Sequence, residues 1–191
     1  MKCYILMGSP RKNGNTVALI PPFVEELEKH GVSCHMDWLY DMDIKGCVAC
    51  RNCQKNFKET DCAIDDDMQK VFKKVEQSDI IIFATPIYSW YCTAPLKAAM
   101  DRMVYAFNKI YGGEKGPRLW KGKKLASIIT SGYTPEKAMY LWEEGLKLYA
   151  KHSELNYVGI IGERHKNYTL PFMDEQKAEH MRQFAREILS K

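Results

Sequence analysis

The 191-residue chain is 46% hydrophobic and 27% charged, the balance of a folded domain rather than a disordered segment. Its net charge of +4 is too mild to indicate nucleic acid, and no basic helix with interleaved aromatics stands out. No stretch approaches the roughly 18 uninterrupted apolar residues of a membrane span. The chain also enters its first strand without a charged leader, apolar core and cleavage site, so one cytoplasmic domain over residues 1–191 is expected.

Residues 2–7 (KCYILM) read as a short buried strand, and Gly8-Ser9-Pro10-Arg11-Lys12-Asn13-Gly14-Asn15-Thr16 follows at once. A helical pattern then runs over 16–30. A strand that opens through a Gly/Ser/Asn/Thr loop onto a helix start is a phosphate cradle, because the first helical N–H groups have no intrahelical partner. Ser9, Asn13, Asn15 and Thr16 supply short hydrogen-bonding side chains, and Arg11 supplies charge. Five residues separate Gly8 from Gly14, and Asn15 stands where a Walker loop needs lysine. The middle glycine of a dinucleotide fingerprint is also missing. Asp37 alone is a weak imitation of the ribose-binding acid. A mononucleotide such as FMN suits the loop better.

Further strands are expected over 32–39, 79–84, 124–130 and 155–162, and helices over 68–77, 94–106, 135–151 and 174–189. Thr134 and Asp174 are candidate N-caps, with Pro135 in a first turn. Strands alternating with helices predict an α/β three-layer sandwich, a five-stranded parallel sheet with helices on both faces. The order chosen is 2-1-3-4-5, with ligand at the carboxyl ends of strands one, three and four. At those ends stand Pro86-Ile87-Tyr88-Ser89-Trp90, with amides and aromatic faces suited to a flat ring, and Ser131-Gly132-Tyr133. The basic segment 109–124 reads as a solvated loop, within which Arg118, Lys121 or Lys123 could meet a 2′-phosphate.

Cys3, Cys34 and Cys92 read as small buried hydrophobes. Cys47, Cys50, Cys53 and Cys62 share one long loop with spacing C-x2-C-x2-C-x8-C, compact enough to surround a [4Fe–4S] cluster. A loop shaped by four cysteines without a cluster is the favoured of the two readings. Asp65-Asp66-Asp67 reads as the cap of the helix at Met68 rather than a metal site. The five histidines are scattered, without metal spacing, and no nucleophile elbow or hydrolytic triad is evident.

GSPRKNGNT after strand one and TPIYSWYCTAPLKAAMDRM after strand three resemble the NAD(P)H-dependent FMN reductase family of flavodoxin-like proteins. GCVACRNCQKNFKETDCAIDDDM between them resembles the iron–sulfur flavoprotein branch and its cluster-free relatives. The resemblance covers residues 1–135 well. It implies a flavodoxin-like fold, bound FMN, and a homodimer or homotetramer. By the same resemblance Ser9, Arg11, Asn13, Asn15 and Thr16 hold the phosphate. Pro86, Ile87, Tyr88, Ser89 and Trp90 flank the isoalloxazine, and Ser131, Gly132 and Tyr133 close its far side. Pro95, Lys97, Asp101 and Arg102 are implied to organise their helix and its dimer contacts. The implied activity is hydride transfer from NADH or NADPH to FMN, then to a small-molecule acceptor: a quinone, flavin, azo or nitro compound. No catalytic side chain is needed, because the flavin carries the chemistry. An FMN-and-cluster electron carrier without nicotinamide chemistry is the alternative.

Overall fold

The computed structural model describes residues 1–166 and 169–191. Five strands form one parallel sheet in the order β2-β1-β3-β4-β5: β1 (Lys2–Met7), β2 (Ser33–Trp38), β3 (Ile80–Pro86), β4 (Lys124–Ser131) and β5 (Asn156–Arg164). This is the expected flavodoxin-like topology. β1, β3 and β4 are covered on both faces, so their middles are apolar apart from the buried Ser127 of β4, while edge strand β2 is half exposed.

The helices are α1 (Asn15–Ala18), α2 (Ile20–Lys29), α3 (Met68–Gln77), α4 (Ala94–Phe107), α5 (Pro135–Ser153) and α6 (Glu175–Ser190). One apolar layer packs Phe72, Met103, Phe107 and Trp142 from α3, α4 and α5 against the sheet. The other packs Phe23 and Leu27 of α2 with Met181 and Phe184 of α6.

The structure departs from the expected helix starts in two places and refines a third. The single helix expected over 16–30 is broken at Leu19, and α2 starts afresh with Pro21 and Pro22 in its first turn. Proline has no N–H to continue a helix but suits a first turn. Thr134 precedes α5 without a side-chain cap; its carbonyl receives the amides of Lys137 and Ala138 instead. Asp174 does cap α6, accepting from Lys177 N at 2.8 Å. In the acidic triplet it is Asp66, not Asp67, whose carboxylate takes the Met68 amide (3.0 Å), while Asp67 turns to the amide of Asp43 (2.9 Å).

The segment after α4 is not the solvated loop its lysines suggest. Trp120 is buried, stacks on Phe107 at 4.7 Å and donates to Asn108 Oδ1 at 2.8 Å. Lys109 is wholly buried. Arg118 and Lys121 pair with Glu154, and Lys123 Nζ donates to the carbonyls of Glu76 and Ser78. The basic groups expected to meet a 2′-phosphate thus each have a partner within the chain, with Lys121 still exposed.

Candidate functional site

The register sets Met7 of β1 beside Ala84 of β3, and Pro86 of β3 beside Thr130 of β4, so three strands end together. The loops leaving them share a cleft of about 170 Å³. Ser9, Arg11, Asn15 and Thr16 line it from the first loop, Pro86, Ile87 and Tyr88 from the second, and Ser131 and Gly132 from the third. A neighbouring hollow of about 130 Å³ is bordered by Ser89, Trp90 and Tyr133, and shares Ile87, Ser131 and Gly132 with the cleft. Asn13 is exposed and lines neither.

The first loop is tied down from several sides. Gly8 N donates to Ala84 O and Thr93 Oγ1 donates to Gly8 O, both at 2.7 Å. A Cβ at Gly8 would stand 2.8 Å from Thr93 Oγ1 and 3.2 Å from Leu96 Cβ, so only glycine lets β1 turn this close to α4. Trp38 Nε1 donates to Ser9 O at 3.1 Å, Ser9 Oγ accepts from Arg11 N at 3.3 Å, and Thr16 Oγ1 lies 2.7 Å from Thr130 Oγ1. Ser9 and Thr16 are buried at the base, and Arg11 is exposed at the rim.

Asn15 Nδ2 lies 3.2 Å from His165 Nδ1, just beyond β5, and His165 also lines the cleft. In the sequence the five histidines are scattered, and none stands out as a site residue, His165 included. The 150 residues between it and Asn15 left no local signal. Thr130 was likewise passed over, although a polar residue at the end of an apolar strand marks a sheet edge that carries function.

The second loop corrects an expectation. Ile87 N already donates to Thr130 O (2.8 Å) and Tyr88 N to Tyr91 O (2.9 Å), so those two amides are spent. Among the described residues, the amides of Ser89 and Trp90 have no hydrogen-bond acceptor. Ser89 and Trp90 have φ of 50° and 62°, a tight two-residue turn closed by the Tyr88–Tyr91 bridge. Left-handed backbone at non-glycine residues costs energy, and it turns these amides outward. Trp90, 51% exposed, stacks on Tyr133 with centroids 6.1 Å apart and planes 16° apart. Ser131 Oγ is occupied by Tyr133 O at 2.9 Å.

Asp37 is no ribose acid. It accepts from Tyr4 Oη (2.8 Å), from Lys74 and from His35 (3.0 Å). Burial raises its pKa, but these donors outweigh burial and hold the carboxyl below its ordinary value.

The four cysteines of the long loop border a second, small apolar cavity of about 20 Å³ with Arg102 and Tyr105. Cys47 and Cys50 are exposed, Cys62 is half-buried and Cys53 is buried, where desolvation pushes its thiol pKa up. Several donors face the sulfurs: Ala49 N to Cys47 (3.4 Å), Arg102 Nη2 to Cys62 (3.2 Å) and Gln54 Nε2 to Cys53 (3.6 Å). Among the described residues no three His, Cys, Asp or Glu side chains converge as a single ion would require. The thiols line walls rather than meet at a point. Arg102 was expected to organise α4 and dimer contacts. It is 1% exposed, ion-paired with the fully buried Asp66, and donates to the carbonyls of Lys45 and Ile64. It anchors the cysteine loop. Lys97 and Asp101 do pair along α4, at 2.7 Å.

The sequence profile described as NADPH-dependent FMN reductase matches residues 1–139. The chain belongs to this family. Membership sets it among FMN-dependent flavoproteins. Its relatives include an iron–sulfur flavoprotein of Archaeoglobus fulgidus, 32% identical over 84% of this chain and 74% of the relative. An iron–sulfur flavoprotein of Methanocaldococcus jannaschii is 33% identical over 53% of this chain, a match that spans 51% of that relative's own length. In fold, this FMN reductase family member superposes on an NAD(P)H:quinone oxidoreductase of Methanothermobacter marburgensis with a TM-score of 0.70. That likeness covers 99% of this chain and 97% of the other at 18% identity. No helix among the described residues is long and apolar enough to cross a membrane.

Proposed function

We propose that the chain binds FMN at the joined ends of β1, β3 and β4 and passes electrons from NADH or NADPH to a small-molecule acceptor. One observation carries this reading: three loops that are distant in sequence open into one cleft, with the buried hydroxyls of Ser9 and Thr16 at its base. Ser9, Asn15, Thr16 and the amides after Gly14 hold the phosphate, with Arg11 adding charge from the rim. The outward amides of Ser89 and Trp90 meet the polar edge of the flavin, and the aromatic faces of Trp90 and Tyr133 stand beside it. Bound flavin supplies the hydride and electron chemistry. The chain positions it and leaves one face open for nicotinamide and then acceptor. A quinone, a free flavin, an azo or a nitro compound fits that open face equally. A homodimer or homotetramer is part of the proposal, supported by Tyr140, Leu141 and Leu148 exposed along α5.

The test is an FMN titration followed by anaerobic addition of NADPH or NADH. Stoichiometric uptake of FMN and bleaching of its visible bands are the expected results. A chain that takes up no FMN overturns the site; bound FMN that neither nucleotide reduces overturns the nicotinamide part.

A second reading is favoured by the cysteine loop: an FMN protein that also carries an iron–sulfur cluster and moves electrons without nicotinamide. Four thiols on one cavity, N–H groups aimed at three of them, and relatives named iron–sulfur flavoproteins support it. Cys47, Cys50, Cys53 and Cys62 would hold the cluster, which would supply one-electron transfer.

A further inference from the structure

A chain that selects NADPH needs a cation for the 2′-phosphate within reach of the flavin, and the segment 109–124 stands at the wrong end of the sheet to supply it. Arg118 and Lys121 pair with Glu154, just before β5, and Lys123 donates to Glu76 and Ser78, just before β3. All three thus sit at the amino ends of the strands. β4 then runs eight residues from Lys124 to Ser131, so about 23 Å of extended chain separates them from the cleft.

The carboxyl ends hold an arginine of their own. Ser131, which borders both the cleft and the hollow beside it, is paired in register with Arg164 of β5. There a third and larger cleft, of about 610 Å³, opens between the first turns of α5, the end of β5 and the start of α6. His165 lines this cleft and the one at the strand ends alike, so the two share a wall. Met139 of α5 also lines it, while the adjoining Ala138 borders the hollow beside Trp90.

Arg164 lines this third cleft. It is half-buried, and its Nε is sealed from water without an acceptor. The other arginines that are not exposed, Arg102, Arg118, Arg182 and Arg186, each pair with a carboxylate. Among the described residues Arg164 has neither an ion pair nor a hydrogen-bond partner. A guanidinium that has lost part of its hydration without gaining an acceptor is unfavourable until an anion arrives. Two carboxylates of the cleft are already engaged, Glu163 with His180 at 2.8 Å and Asp174 with Lys177. Glu136 is exposed, where water and salt screen it, and Lys166 adds an exposed cation.

The inference rests on the flavin reading above and names its electron donor. We propose that this third cleft takes the adenosine end of NADPH, with the Arg164 guanidinium on the 2′-phosphate and Lys166 beside it, and with the nicotinamide over the flavin at the neighbouring hollow. NADH lacks the phosphate monoester and leaves Arg164 uncompensated, so NADPH is the preferred donor. The planar fork of arginine matches two phosphate oxygens at once, which a lysine ammonium does not.

The test uses the FMN-loaded chain and two readouts. Calorimetry measures binding of adenosine 2′,5′-bisphosphate and of adenosine 5′-monophosphate, which lacks the 2′ group. Anaerobic flavin reduction measures half-saturation by NADPH and by NADH. The wild-type chain is expected to prefer the bisphosphate and NADPH at least tenfold over their counterparts. Arg164→Gln is expected to lower both preference ratios at least tenfold, and Arg164→Lys at least threefold. Lys121→Gln, at the far end of β4, is expected to keep the wild-type ratios. FMN stoichiometry checks that each variant is folded, and Arg164→Lys carries the test should Arg164→Gln fail to load FMN. Equal losses for the bisphosphate and the monophosphate would assign Arg164 to a group common to both and overturn the proposal. Loss of preference in Lys121→Gln overturns it too. A wild-type chain whose flavin is reduced equally well by both nucleotides, with no preference for the bisphosphate, overturns the proposal and leaves the flavin reading standing. A chain that takes up no FMN overturns both.

Discussion

Thr16 Oγ1 and Thr130 Oγ1 meet at 2.7 Å in the buried base of the cleft, joining the first loop to the end of β4 across 114 residues of sequence. Either hydroxyl can donate, so one hydrogen stays free to turn toward an anion above them. If Thr16 gives that hydrogen to the FMN phosphate, Thr16→Val removes a bond to a charged group, worth about 1.5–3 kcal/mol, and FMN affinity falls roughly tenfold or more. Thr130→Val removes only the neutral hydroxyl pair, worth about 1 kcal/mol, and affinity falls less. Flavin fluorescence quenching measures both. Equal losses in the two variants would show that Thr16 serves Thr130 and not the phosphate.

The His165–Asn15 contact predicts a selective effect. His165→Ala leaves Asn15 Nδ2 without its 3.2 Å partner and frees the amide to rotate. A neutral hydrogen bond of about 1 kcal/mol corresponds to about a fivefold weaker FMN affinity. Riboflavin, which has no phosphate, should bind the variant and the parent alike. A parallel loss for riboflavin would mean that His165 supports the ring and not the phosphate end.

The turn at Ser89-Trp90 predicts a gain in stability. Ser89 adopts φ of 50°, where an L-residue pays about 1–2 kcal/mol and glycine nearly none. Ser89→Gly should therefore raise unfolding free energy by up to about 1 kcal/mol, offset in part by the freer unfolded chain. Urea denaturation measures it. A loss of stability would mean that the serine side chain contributes more than its backbone costs.

These relationships differ in how far the sequence discloses them. The apolar runs in β1, β3 and β4 state their own burial, and their alternation with helical patterns leaves few topologies, so the sheet order is legible. The cleft is legible for the same reason: Ser9, Ile87 and Ser131 sit just past strands whose ends the topology aligns. Pro21 and Pro22 were visible too, and their place inside an assumed helix should have signalled a second start. Lys109 is different. A long cation next to other basic residues reads as solvated, and its burial depends on the Cys53 loop and Gly116 closing over it. The role of Asp66 was hidden in a run of three equivalent aspartates, which only the position of Arg102 distinguishes.

That Asp66–Arg102 pair makes the sharpest stability prediction. Burial of Asp66 disfavours its charge, but the Arg102 guanidinium and the amides of Lys45 and Met68 outweigh burial and hold the carboxyl below its ordinary range. A carboxylate with a depressed folded pKa adds stability that is fully present above its unfolded value, about 3.9, and is lost as pH falls through the folded value. Asp66→Asn keeps an acceptor for one amide but leaves Arg102 buried without an anion, a loss of about 3–5 kcal/mol for pairs of this kind. The difference between parent and variant should be largest at neutral pH and shrink as pH falls below about 4, where the unfolded chain takes up the proton that the folded carboxylate still resists. Urea unfolding at a series of pH values reads both stability curves. A gap that stays constant down to pH 3 would assign the loss to packing and remove the ion pair from the account of how the cysteine loop is held.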